Sequence, residues 1–185
     1  MGRVNSFTFI TLNGFYKDAF GDIAWHSHNE KATAYSTAQL ASGNLLLFGR
    51  ITYDMMAAFW QSEQAWNSFP EVAEGMNRAD KLVVSTSKSI NTWSNTSKLE
   101  GELTVEVSRL KRELERDITV LGSGSIVAQL AEAGLIDEFQ ILTDPVVIPD
   151  GTPLFTGIKR NLKLLLTGTE DFGNGSLLHH FRPIE

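Results

Sequence analysis

Cysteine is absent from the 185 residues. That one absence excludes disulfides, thiolate nucleophiles and cysteine-held zinc or iron–sulfur centres, and it fits a cytoplasmic protein. Long apolar runs are absent as well, since no window approaches the roughly 20 apolar residues of a membrane span. The N-terminus, MGRVNSFTFITLNG, has one Arg and then alternates polar with apolar residues. Such alternation belongs to a strand, whereas an export signal carries a continuous apolar stretch. Basic charge is scarce too, with 16 Lys and Arg against 22 Asp and Glu and a net charge of -6. The basic residues are scattered apart from Arg109, Lys111 and Arg112, so the concentrated basic face of a nucleic-acid binder is missing. Neither nucleic acid nor a membrane is therefore an expected partner. A small anion is still allowed, because backbone amides at a helix N-terminus bind one without raising the net charge. Internal repeats, low-complexity tracts and long Pro/Gly linkers are lacking, and one α/β domain spanning residues 1–185 is the economical reading.

What is present is a regular alternation of apolar runs with helix-period segments. SFTFITL reads as a strand, Lys31 to Ala41 as a helix, LLLFG as a strand, and Thr52 to Trp60 and Pro70 to Met76 as helices. KLVVS follows, then an irregular Ser, Thr and Asn-rich stretch from Thr86 to Ser97, a helix over Val105 to Leu114 and the strand ITVL. Val107, Leu110 and Leu114 share one helical face, and Ile126, Val127, Leu130 and Leu135 form a second stripe that Gly134 is suited to stop. LLLF and LVV are apolar throughout, which suggests a sheet covered on both faces. NLKLLLTGTE and SLLHHFRP flank DFGNG, whose Gly and Asn suit a hairpin turn. The expected fold is α/β, with a mixed, mostly parallel sheet that ends in an antiparallel hairpin.

Two strand-to-helix junctions could carry chemistry, FGRITYD and LGSGSIV. Glycine admits a phosphate close to the backbone, the first free N–H groups of a helix point at it, and hydroxyls add hydrogen bonds. On that reading Gly49, Arg50 and Thr52 serve one end of a nucleotide, and Gly122, Ser123, Gly124 and Ser125 serve its pyrophosphate. Taken singly, each glycine is as well explained by a tight turn and each hydroxyl by a helix cap. Neither GxGxxG nor GxxxxGK[ST] occurs. In VVSTSKS, Ser85, Thr86, Ser87 and Lys88 suit a phosphate monoester such as the 2'-phosphate of NADPH, with a solvated loop as the alternative. His26 and His28 read as part of a polar loop, and no metal is assigned. Asp22 and Glu30 flank that loop, where an acid could bind a heterocycle's N–H, a solvated helix-start Glu being the default.

The order of these motifs resembles the C-terminal reductase domain of bifunctional riboflavin-biosynthesis deaminase-reductases. The resemblance runs from ITLNGF and LLLFGRITYD through KLVVSTS to ITVLGSGSIVAQLAEAGLIDEFQILTDPVVIPDGTPLF, nearly the whole chain. It implies a dihydrofolate reductase-like, three-layer α/β/α fold, with NADPH bound along the strand ends and a reducible heterocycle against the nicotinamide. Under the resemblance Gly49, Arg50 and Thr52 match the first phosphate junction, Ser85 and Thr86 the 2'-phosphate loop, and Gly122 to Ser125 the pyrophosphate turn. Asn13, Gly14, Glu30 and the Pro145 to Phe155 loop would approach the substrate, with Glu30 and Asn13 as the catalytic candidates. Three places depart from the family pattern. Asn13 stands where an Asp is usual, Thr86 where an Arg is common, and IPDG where the turn is usually richer in glycine. The first bears on substrate identity and the second on preference for NADPH over NADH.

The implied activity is an NADPH-dependent reduction of a small pyrimidine or pteridine-like heterocycle. Two alternatives stand beside it: a non-catalytic, dimeric nucleotide-binding protein that retains the fold, and a dihydrofolate reductase. Relatives commonly pair, so a homodimer is expected. Trp60, Trp66 and Trp93 are compatible with an interface and equally with core packing.

Overall fold

Alternation in VNSFTFIT becomes the first strand. Along β1 (Val4–Thr11), Val4 and Ile10 pack on one face while Phe7 and Phe9 turn to the other, the period of two that a strand imposes. The computed structural model describes residues 1–87 and 89–184. After β1 come β2 (Phe15–Asp18), α1 (Glu30–Ala41), β3 (Leu45–Gly49), α2 (Arg50–Trp60), α3 (Glu63–Ser68), α4 (Pro70–Arg78), β4 (Lys81–Val84) and β5 (Thr96–Lys98). The second half holds α5 (Leu103–Glu113), β6 (Ile118–Leu121), α6 (Gly124–Glu132), β7 (Glu138–Asp144), β8 (Gly151–Pro153), β9 (Leu164–Asp171) and β10 (Leu177–Pro183).

The main sheet has the order β5-β4-β3-β6-β1-β7-β10-β9. Pairing is parallel from β5 to β7, and β10 runs antiparallel to both β7 and β9. This is the expected mixed sheet with its terminal hairpin. Val107 of α5 and Ile126, Val127 and Leu130 of α6 cover one face, over Leu45, Leu47, Ile118 and Val120. Tyr53, Ala57 and Trp60 of α2 and Val72, Ala73 and Met76 of α4 cover the other, over Leu46, Phe48 and Val83. Helix α1 packs on α4, where the missing side chain of Gly75 lets Leu40 approach and a Cβ would lie 2.9 Å from it, and its Ala32 and Tyr35 pack with Leu142, Phe172 and Leu178. Gly134, at φ +68°, follows the end of α6, as a left-handed C′ residue does.

Four short elements differ from the sequence reading. Strand β5 rises from the stretch read as irregular, where Thr96 pairs with Lys81. Strands β2 and β8 form a separate two-stranded sheet, α3 precedes α4, and α2 starts at Arg50 rather than Thr52. Each of β2, β5, β8 and α3 is too short for a periodicity signal, and the strands among them exist through distant partners. Trp60 and Trp93 lie in the core, whereas Trp66 is 44% exposed. Among the described residues no helix is long and apolar enough to cross a membrane.

Candidate active site

Strands β4, β3 and β6 are neighbours and parallel, so the three motif-bearing turns leave the same end of the sheet side by side. Ligands in open α/β sheets sit outside such carboxyl ends. The side chains there are arranged differently from the sequence reading. Ser123 is buried, and its hydroxyl accepts the Gly49 N–H at 2.9 Å and donates to the Leu121 carbonyl at 3.0 Å. It ties one turn to the other and caps neither helix. Thr52 Oγ1 donates to the Gly122 carbonyl at 3.3 Å, a second tie. Gly124 makes room for Tyr16: a Cβ there would lie 2.6 Å from the Tyr16 ring. Gly122 sits at φ +55°, so the turn itself calls for glycine.

Ser125 is exposed, and so is Arg50, which pairs with Asp54 at 3.0 Å. Ser85 Oγ accepts the Ser87 N–H at 3.0 Å, Thr86 is exposed, and Lys88 lies outside the described residues. Helices α2 and α6 have no side-chain cap, whereas α1, α3 and α5 are capped by Asn29, Ser62 and Glu102. The helices after the two glycine turns therefore offer unengaged backbone donors to an anion.

Beside these turns a cavity of about 500 Å³ opens between the sheet and α1, α2 and α4. Thr52 and Gly122 belong to its wall, so it adjoins the paired turns directly. The wall also includes Phe7 and Phe9 of β1, Met56 and Phe59 of α2, and Tyr35 of α1. The Tyr35 hydroxyl donates to Gln140 Oε1 at 3.0 Å, and burial pushes its pKa up. Asp22, His26 and His28 close one side.

The histidines are not a polar loop. His26 Nδ1 meets Asp144 Oδ2 at 2.8 Å, and the other oxygen of Asp144 accepts from Ser176 Oγ at 2.7 Å. A carboxylate only accepts, so Nδ1 of His26 carries the hydrogen and Nε2 faces away from the pair. The His26 ring stacks on Phe9 with centroids 3.8 Å apart, and the His28 ring stands edge-on to it at 4.5 Å. Burial first and His26 second push His28 down to about 4, against a smaller upward pull from Asp144.

Neither catalytic candidate lines the cavity. Asn13 holds its amide in a bracket, accepting from Thr11 Oγ1 and donating to the Ile148 carbonyl, both at 2.8 Å. It fastens the β1–β2 turn to the loop after β7. Glu30 is exposed in the first turn of α1, where the helix dipole favours an acid. No residue of the Pro145 to Phe155 loop lines the cavity either. The described acids beside the cavity include Asp22, in its wall, Asp144, behind His26, and Glu138, behind Gln140.

A family model, that of the RibD C-terminal domain, matches residues 3–178. The chain belongs to the RibD C-terminal domain family. Among curated relatives, protein YyaP of Bacillus subtilis (strain 168) is 25% identical over 175 residues, covering 93% of this chain and 91% of its own. A putative riboflavin biosynthesis protein from Shewanella sp. PV-4 superposes with a TM-score of 0.77 at 18% identity, over 99% of both chains. A diaminohydroxyphosphoribosylaminopyrimidine deaminase/5-amino-6-(5-phosphoribosylamino)uracil reductase from Thermotoga maritima superposes with a TM-score of 0.71 at 16% identity, over 99% of this chain and 57% of its own. This RibD C-terminal domain protein thus has the dihydrofolate reductase-like fold of those reductase structures. Sequence reasoning missed Tyr16 and Tyr35 in the wall, and Asp144 with Ser176 behind His26. One signal was legible: Asp144 ends the apolar run FQILT, immediately before Pro145.

Proposed function

We propose that this RibD C-terminal domain protein is an NADPH-dependent oxidoreductase of the cytoplasm that reduces a small heterocycle of the pyrimidine or pteridine kind. The observation that carries the reading is the shared wall. Thr52 and Gly122 belong both to the paired turns and to the cavity, so a ring held there lies against whatever those turns bind. The uncapped starts of α2 and α6 suit a pyrophosphate, with Arg50, Ser85 and Thr86 at the strand ends for a 2'-phosphate. NADPH, when bound, supplies the hydride. The chain's own task is to fix the ring and exclude water, which the aromatic wall does by packing.

A fluorescence titration with NADPH tests this reading. Saturation at sub-millimolar concentration is expected, and no binding in that range overturns it. Arg50→Ala should weaken NADPH more than NADH, and an equal loss would mean that Arg50 does not read the 2'-phosphate. One observation favours a non-catalytic nucleotide-binding protein instead, namely that neither Asn13 nor Glu30 lines the cavity. NADPH oxidation in the presence of pterins or pyrimidinones separates the two readings. The homodimer is part of the proposal, and the exposed Leu165 and Leu166 on edge strand β9 offer it an apolar surface.

A further inference from the structure

We infer that the cavity beneath α1 takes an uncharged, flat, largely apolar ring rather than a phosphorylated one, and that His26 meets the ring's polar edge. The inference rests on reading the cavity as the substrate site, and it names the substrate class. The wall contributes Phe7, Phe9, Met55, Phe59, Trp60 and Met76, and among the described residues no Lys or Arg lines it. A phosphate entering it would lose its hydration without gaining a counter-charge, a transfer that is strongly unfavourable. Asp22 in the same wall would repel it further. His28, with its pKa at about 4, adds no positive charge at neutral pH.

Several of the wall's polar side chains are already engaged. Tyr35 holds Gln140, Asn44 donates to Thr119 Oγ1 at 3.0 Å, and Thr33 Oγ1 donates to the Asn29 carbonyl at 3.0 Å. Thr52 is tied to Gly122 as well. Among the described residues, two that line the cavity keep a buried polar atom without a partner, Thr8 and His26. Alternation along β1 turns Thr8 towards the face of Val4 and Ile10, away from the cavity. His26 remains. Its side chain is 1% exposed, Asp144 fixes Nδ1, the stack on Phe9 fixes the ring plane, and Nε2 is unpaired. As a neutral imidazole, Nε2 accepts from a ring N–H; protonated, it donates to a carbonyl. A lactam edge, with N–H beside C=O, satisfies both states.

The test uses the chain without cofactor and follows tryptophan fluorescence, since Trp60 lies in the wall. Carbostyril, a neutral bicyclic lactam, is titrated against uridine monophosphate, a phosphorylated one, and naphthalene, a ring without a polar edge. Saturable binding of carbostyril is expected, at least about tenfold tighter than the nucleotide. His26→Gln should weaken carbostyril about tenfold and leave naphthalene unchanged. Proton–nitrogen correlation spectra of the unaltered chain provide a second readout that needs no variant: the His26 ring signals should move with carbostyril and stay still with naphthalene. Nucleotide binding as tight as the lactam's, or no saturable lactam binding, overturns the ligand class. Unmoved His26 signals overturn its role. Binding of carbostyril by a chain that fails to bind NADPH would sustain this inference and remove the reductase reading.

Discussion

Lys81 is 1% exposed, and its ammonium donates to the carbonyls of Asn77, Ala79 and Ser94 while standing 4.5 Å from the Trp93 ring. Burial pushes its pKa down to about 8, which leaves it mostly charged at neutral pH. Lys81→Met removes the donor shared by three carbonyls, and the expected loss is about 2 kcal/mol, read as a lower urea midpoint. His28 gives a pH prediction. Its folded pKa of about 4 lies below the 6.5 usual for histidine, so the unfolded chain takes up the proton first as pH falls. The contribution is complete above pH 6.5 and is lost as pH falls towards 4. His28 is partly open to water, which moderates the effect. His28→Asn should flatten the slope of denaturation midpoint against pH in that window. Residue types at these places were plain in the sequence, but their partners were not. His26 takes its role from Asp144, 118 positions away, and no local pattern encodes that pairing.

At the scale of elements, the glycine turns were legible and their reasons were not. Order and spacing placed Gly49 and Gly122 at strand ends, but the tie from Ser123 to Gly49 exists only because β3 and β6 are neighbours. Gly124 serves the approach of Tyr16 from β2, a strand that owes its existence to pairing with β8. Gly124→Ala should therefore destabilise the fold by about 1–3 kcal/mol through overpacking, measured by denaturant unfolding. Adding Tyr16→Ala should recover part of that loss, because the ring that the new methyl meets is gone. If the penalty persists in the double variant, the glycine answers to something other than Tyr16.

For the whole molecule, the parallel order with its terminal hairpin followed from short strands that are apolar throughout and one clear turn, and the family resemblance spanned nearly the whole chain. Which residues the two helical layers would leave uncovered did not follow, since that depends on how α1 is held. Edge strand β9 exposes Leu165 and Leu166, 53% and 51% accessible. Sedimentation should give a dimer, and Leu165→Glu with Leu166→Glu a monomer; an unaltered chain that sediments as a monomer removes that part of the proposal. The cavity bordered by α1 has one more consequence. Between α4 and the contacts of Ala32 and Tyr35 with the sheet cluster, the helix borders an interior that its own chain does not fill, so an occupant would add to the core. Hydrogen exchange in α1 should slow before that of the central strands when a ligand enters. A compound at a hundred times its Kd would add about 2.7 kcal/mol to the unfolding free energy, making melting temperature a screen for compounds that fill the cavity.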